Sequence, residues 1–138
     1  MERQEWVYSL ADADFDIADA FAVAITTPST DSYRLEVSGL AQTAATLVVY
    51  EAATIGVAGT AAVWRSIERS DALEDATHVV SLEYGGTYTG GTTLFTATHL
   101  EGEEIEFGLN QSTIYRITFT SLADNNAGSL RLALSKRR

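Results

Sequence analysis

The segment TIYRITFT, residues 113–120, decides the fold of this chain. Tyr115, Ile117 and Phe119 fall on every second residue and so share one face, and the polar residues Arg116 and Thr118 lie between them. A period of two is typical of a β-strand with one buried face. Most residues of the segment are β-branched or aromatic, and these side chains favour strands. The segment therefore predicts a half-buried strand.

The same alternation extends in both directions along the chain. Apolar residues occupy alternate positions in residues 33–37, 104–107 and 130–134, and polar turns rich in Gly, Asn, Asp and Ser separate these segments. About eight strands and a long connection over residues 71–92 predict an all-β, jelly-roll-like sandwich of antiparallel strands. An immunoglobulin-like sandwich is the alternative, although its Cys–Trp–Cys core signature is absent.

Two segments are harder to assign. Phe15, Ile17, Phe21, Val23 and Ile25 share one parity, which favours a strand with inward apolar residues over a helix in this alanine-rich stretch. Asp19 interrupts the set, so the strand begins after it or carries a bulge there. The segment AVWRSIER, residues 62–69, fits either a strand or a short helix.

Length and composition indicate one small domain. The 138 residues, 46% of them apolar, support a single core, so we predict one domain over residues 1–138. An N-terminal arm over about residues 1–14 and a short basic tail over residues 135–138 would flank its sandwich. The chain contains no cysteine, which excludes disulfides and thiolate chemistry. No run reaches the roughly 18 apolar residues of a membrane span, and the first residues lack the order of a signal peptide.

The charge balance restricts the classes of partner. The formal net charge of −10 disfavours binding to phosphate backbones and to anionic lipid, so we predict neither nucleic acid nor membrane as a partner. Acidic residues dominate the first nineteen positions, whereas Lys136, Arg137 and Arg138 end the chain. These opposite ends are compatible with contacts between subunits, but we favour the simpler explanation of solubility and a frayed terminus.

Alternating aspartates are the strongest candidate for a metal site. Asp12, Asp14 and Asp16, with Asp19 nearby, could present carboxylates on one face, as calcium requires. The segment lacks the glycine and the later glutamate of an EF-hand loop. We therefore favour a solvated acidic entrance to a strand, and we predict no metal and no cofactor.

Other polar residues give little support for catalysis. His78 and His99 could act as bases or metal ligands, but an ordinary strand histidine explains each of them. A second acidic cluster consists of Glu101, Glu103, Glu104 and Glu106. It could supply the paired carboxylates of glycoside hydrolysis, but alternation places Glu104 and Glu106 on one exposed face. No nucleophile elbow and no phosphate-binding motif occurs. We predict that the protein is not an enzyme.

Five aromatic residues lie outside the clearest core parities: Trp6, Tyr8, Trp64, Tyr84 and Tyr88. Aromatic side chains on arms and loops are typical anchors of protein interfaces, and they also bind sugar rings. The alternative is that they fold back onto the core. We predict an interface that includes the basic tail, with the following residues: Trp6, Tyr8, Tyr84, Tyr88, Lys136, Arg137 and Arg138.

Three segments resemble a family of small β-sandwich virion proteins of tailed bacteriophages. The first is LVVYEA, residues 47–52, followed by a turn with Gly56 and Gly59. The second is residues 62–69. The third and most specific is GLNQSTIYRITF, residues 108–119, in which a polar turn leads into an aliphatic–Tyr–aliphatic–Arg strand. This chain departs from the family pattern, which has a proline at position 111 and an aromatic–acidic ending.

The resemblance implies a structural role in the virion. The chain would be a decoration or cement protein that binds the major capsid protein on the outer surface of the head, after synthesis in the host cytoplasm. It would act as a homo-oligomer, a dimer or a trimer, and it would stabilise the assembled shell. The alternative function is a receptor- or carbohydrate-binding sandwich of a tail or fibre.

Overall fold

The computed structural model describes residues 5–66, 80–98 and 101–137, and the regular structure in them is entirely β-strand. Eight strands are seven or more residues long, and five are shorter. In these residues no helix has the length and apolarity to cross a membrane. In chain order the strands are β1 (Glu5–Phe15), β2 (Ala20–Thr26), β3 (Ser32–Ala41), β4 (Ala45–Glu51), β5 (Thr54–Val57), β6 (Thr60–Ala61), β7 (Arg65–Ser66), β8 (Ser81–Tyr84), β9 (Thr87–Thr89), β10 (Thr92–Thr98), β11 (Glu101–Leu109), β12 (Ile114–Ser121) and β13 (Asn126–Arg137).

Strand pairing is nested, so the chain folds like one long hairpin rolled on itself. β1 pairs with β13, β2 with β12, β3 with β11 and β4 with β10, all antiparallel. The shorter pairs β5–β9 and β6–β8 continue the series. Pairing of β3 with β13 and of β4 with β12 then joins the hairpins into sheets. The nested order is that of a jelly roll, which confirms the predicted fold class.

Two main sheets form the sandwich. The first has the order β11-β3-β13-β1-β7, and the second has the order β10-β4-β12-β2-β8-β6. β5 and β9 form a separate two-stranded sheet. The eight long strands therefore divide equally between the two main sheets, and the eight-strand prediction corresponds to them.

The core consists of the inward parity of each long strand. Tyr115, Ile117 and Phe119 of β12 are fully buried, as the alternation predicts. They belong to one apolar cluster with Leu130, Leu132 and other residues of the facing sheet. Burial of a large apolar side chain contributes about 1.5–3 kcal/mol to stability.

The two sheets approach closely at Gly39 of β3. A Cβ atom on this residue would lie 2.6 Å from the Cε1 atom of Phe119, which is closer than van der Waals contact allows. The absence of a side chain at position 39 therefore makes room for the aromatic ring of the opposite sheet.

Some details of the strand prediction need correction. Ile17 is 59% exposed, because residues 16–19 form a turn in which Ala18 has a positive φ of 72°. β2 therefore begins at Ala20. For residues 62–69, where either a strand or a short helix was possible, the structure has the two-residue strand β7. Residues 67–69 lie outside the described part. The connection over residues 71–92 contains β8 and β9 in its described part.

The predicted arm and tail are also corrected. Residues 5–14 belong to β1, which lies inside a sheet between β13 and β7. Residues 135–137 are the end of β13, where Ser135 pairs with Glu5 and Arg137 pairs with Ser32. In each segment the strand continues without a break, so its backbone pairing with the neighbouring strands extends through the segment.

Candidate interaction site

Three of the five aromatic residues lie in the interior and not at an interface. Trp6 is 1% exposed because its position in β1 faces the core, and Trp64 is fully buried. The indole Nε1 of Trp64 donates a hydrogen bond to the Val80 carbonyl at 3.0 Å. Tyr88 is buried in β9, and its hydroxyl accepts a hydrogen bond from the Gly86 N–H at 3.0 Å. The prediction of Trp6 and Tyr88 as exposed anchors is therefore corrected.

The structure brings Tyr8 and Tyr84 together. Tyr8 belongs to β1 of one sheet, and Tyr84 ends β8 of the other sheet. Their rings stack with centroids 6.4 Å apart and an interplanar angle of 28°. Tyr8 is half-buried, whereas Tyr84 is 36% exposed. The pair thus bridges the two sheets and keeps part of its aromatic surface accessible.

A groove of about 500 Å³ lies along this pair. Val63, 39% exposed, adds apolar surface, and Arg65 adds a cationic side chain. Burial raises the pKa of Tyr8, and the nearby Tyr84 raises it further. Like any tyrosine hydroxyl, that of Tyr8 is neutral at physiological pH and can donate a hydrogen bond. We call this the tyrosine groove. It is lined by Val7, Tyr8, Ser9, Ala61, Ala62, Val63, Arg65 and Tyr84.

Backbone contacts build one wall of the tyrosine groove. The N–H of Gly59 donates to the Glu83 carboxylate at 2.8 Å, and β6 pairs with β8 directly after it. A Cβ on Gly59 would lie 2.2 Å from the Tyr84 carbonyl oxygen, so only glycine fits this approach. The close contact holds residues 61–63 beside Tyr84.

The basic residues do not join the tyrosine groove. The Nζ atom of Lys136 lies 3.5 Å from the Asp31 carboxylate, and both side chains are partly exposed. Arg137 belongs to β13, where it pairs with Ser32. Arg138 lies outside the described residues. The predicted interface therefore divides into a tyrosine pair and a separate basic strand end.

The aspartates near the N-terminus bind backbone groups of two turns. Asp16 accepts a hydrogen bond from the Asn125 N–H at 3.0 Å, and Asp124 accepts one from the Ile17 N–H at 3.1 Å. These two bonds fasten the β1–β2 turn to the β12–β13 turn. Asp14 is fully exposed, and Asp16 is the main cause of its raised pKa. In the described residues, no three or more Asp, Glu, His or Cys side chains are grouped so that they could hold a metal ion.

The second acidic cluster is described in part. Glu104 and Glu106 are both exposed on the outer face of β11, as the alternation predicts. Glu106 accepts an ion-paired hydrogen bond from the Nε of Arg34. The side chains of Glu101 and Glu103, and the whole of His78 and His99, lie outside the described residues.

Residues 47–52 and 108–119 lie next to each other in the structure. The Tyr115 hydroxyl accepts a hydrogen bond from the Asn110 N–H at 2.8 Å and donates one to Glu51 at 2.7 Å. Burial raises the pKa of Tyr115 to about 12. Next to it, Arg116 lies 3.4 Å above the centre of the Tyr50 ring. Residues of the segments 47–52 and 108–119 therefore form one framework that joins β4 to β12.

The groove residues Val63 and Arg65 were not predicted as site residues. No local signal marks them, because the pairing of β6 with β8 brings residues 61–63 beside Tyr84. The sequence indicated only that Tyr8 and Tyr84 lie outside the core alternation.

Comparisons with known proteins add little. No family model matches the chain, and no curated protein matches it. Among solved structures, the lectin domain of PapG from E. coli BI47 is 12% identical, with 98% of this chain and 83% of that chain covered. Its TM-score of 0.18 is far below the value expected for two chains of one fold.

Proposed function

We propose that the chain is a structural protein of a tailed-phage virion that decorates the outside of the assembled head. It binds the major capsid protein as a dimer or trimer and stabilises the shell, and it needs neither a cofactor nor a catalytic group. The support is the family resemblance of residues 47–52, 62–69 and 108–119. Two of these segments are held together by the hydrogen bond from Tyr115 to Glu51 and by the packing of Arg116 on the Tyr50 ring.

The observation that carries the proposal is the tyrosine groove. Tyr8 and Tyr84 belong to different sheets, yet their rings stack at one accessible place on a rigid sandwich. Tyrosine and arginine are enriched among the residues that dominate binding energy in protein interfaces. A coat subunit that inserts an apolar side chain beside Tyr84 and Val63 would bury surface that the free protein exposes.

Stabilisation of a shell follows from mass action. A protein that binds the assembled lattice and not the free coat subunit shifts the equilibrium toward the lattice. A rigid sandwich suits this role, because little conformational entropy is lost when it docks.

The test is occupancy on heads that lack this protein. Purified wild-type protein and the variants Tyr84→Ala and Tyr8→Ala are added to such heads, and bound copies are counted by electron cryomicroscopy. We expect wild-type protein to fill regular sites and to raise the temperature at which the heads release DNA. Each variant should bind about tenfold more weakly or worse, as for a residue that dominates an interface.

The matched control is Leu122→Ala. Leu122 is also a large exposed apolar residue, 45% exposed, but it does not line the tyrosine groove. Full occupancy by this variant is expected. Absence of wild-type protein from the heads would refute the decoration role, whereas normal occupancy by Tyr84→Ala would refute docking through the groove.

Carbohydrate binding is the second candidate, and the same tyrosine pair favours it. Aromatic rings stack on the apolar faces of sugars, and the lining residues Ser9 and Tyr8 each carry a hydroxyl that can hydrogen-bond to a sugar. A glycan array of wild-type protein separates the candidates. Hits that disappear in Tyr84→Ala would support sugar binding, and an array without hits would count against it.

A further inference from the structure

The outer strands of the two sheets differ in how they are protected from further pairing. One side of the sandwich ends in β7 and β6, which are two residues each. The other side ends in β11 and β10, which are nine and seven residues long. Long edge strands expose unpaired backbone groups, so natural proteins shorten, charge or cover them.

β11 is protected by charge, and β10 is not. β11 contains four glutamates, of which Glu104 and Glu106 are exposed. β10 has the sequence TTLFTAT, without a charged residue or a proline, and its Leu94 is 40% exposed. Among the described strands, β10 pairs only with β4. It is therefore a long, neutral and accessible edge.

The direction of the free backbone groups on β10 follows from the ladder. The Leu122 N–H donates to the Ala44 carbonyl, which places a hydrogen-bonded pair of β12 and β4 at these residues. Hydrogen bonding alternates along an antiparallel strand, so Val48 bonds toward β12 and Val49 toward β10. Thr96 lies opposite Val48, and its N–H and carbonyl consequently point away from β4, toward the free side.

We propose that β10 is a docking edge for an extended segment of a basic partner chain, which adds to the sheet as a further strand. Strand addition at an exposed edge is a general mode of peptide recognition. The added strand would continue the inner face beside Phe95 and Ala97, which are both half-buried, with apolar side chains at alternate positions. Its other positions would face solvent beside Thr96 and Thr98.

Charge favours a basic partner over a second copy of this chain. The formal net charge of −10 attracts a segment rich in Lys and Arg. β10 and β11 lie at the same side of the sandwich, so pairing of two copies through β10 would bring their exposed Glu104 side chains near each other at this edge. The inference is independent of docking at the tyrosine groove, which lies at the opposite side.

The probe is a synthetic peptide of about nine residues, a usual strand length, in which Val and Lys alternate. It is titrated into the 138-residue chain and followed by amide NMR shifts and hydrogen exchange. We expect saturable binding with new protection of the Thr96 N–H. Replacing Lys by Glu in the peptide should weaken binding, and added salt should reduce the difference.

A proline at position 96 tests the hydrogen bonds directly. Thr96→Pro removes the outward N–H but leaves the pairing with β4, and it should weaken peptide binding about tenfold. The matched control Thr96→Val keeps the N–H and a β-branched side chain, and it should bind like wild type. Circular dichroism confirms that both variants are folded.

Three results would overturn the proposal. The first is no saturable binding of the Val–Lys peptide, and the second is equal binding of the Glu peptide at low salt. The third is a concentration-dependent dimer of the protein alone that Thr96→Pro abolishes, which would identify the occupant as a second copy.

Discussion

The hydroxyl of Tyr115 in β12 donates a hydrogen bond to the carboxylate of Glu51 at the end of β4, across 2.7 Å. The same hydroxyl accepts the backbone N–H of Asn110, and the Asn110 side chain also donates to Glu51. One buried tyrosine thus connects a strand, its neighbour in the sheet and the turn before it. Such a small network stabilises the sandwich only while each of its members is present.

Tyr115→Phe should lower the free energy of unfolding by about 1–3 kcal/mol, because it leaves the Asn110 N–H without its hydroxyl partner and Glu51 without its donor. Urea denaturation measures the change. Glu51→Gln, which keeps an acceptor for the hydroxyl, should cost less. A loss of only a few tenths of a kcal/mol for Tyr115→Phe would show that the network contributes little.

The stability should fall at high pH because of the same residue. Tyr115 has a folded-state pKa of about 12 and an ordinary value of 10.0, so the folded state favours the neutral phenol. Its contribution is therefore complete below pH 10 and is lost as the pH rises from 10 to 12. Urea midpoints across this range should decrease for wild type and decrease less steeply for Tyr115→Phe. The slope will not vanish, since burial also raises the pKa of Tyr33 and Tyr88.

Asp14→Asn should raise the melting temperature at neutral pH and low salt. The raised pKa of Asp14, caused first by Asp16, means that the folded state binds a proton on Asp14 more tightly than the unfolded state does. The ionised side chain thus costs stability once the pH rises above its ordinary value of 3.8. Calorimetry at several salt concentrations measures the gain, which screening should reduce. A lower melting temperature for the variant at low salt would contradict this explanation.

Gly39→Ala should destabilise the protein by about 1–3 kcal/mol through overpacking against Phe119. The double-mutant cycle with Phe119→Leu is the control, because a smaller side chain at position 119 leaves room for the new methyl group. The cost of Gly39→Ala should shrink in that background. An equal cost in both backgrounds would place the strain elsewhere.

The candidate site was predictable only in part. Tyr8, Tyr84, Trp6 and Tyr88 all lie outside the clearest alternating segments of the sequence, but only the first two retain accessible surface. Local sequence cannot separate these cases, because burial depends on what the other sheet places opposite each residue. Trp6 lies on the inner face of β1, whereas Tyr84 lies at the end of β8, where the sheet becomes narrow.

The sequence by itself determined the fold class and most of the core. Alternation in residues 33–37, 113–120 and 130–134 identified strands and their buried sides, because the period of two is a local property of extended backbone. Tertiary structure alone decided the nested pairing, which turns the supposed N-terminal arm into the interior strand β1 and brings Tyr8 beside Tyr84. Those contacts join residues far apart in the chain. They arise from the packing of whole sheets, which no local pattern encodes.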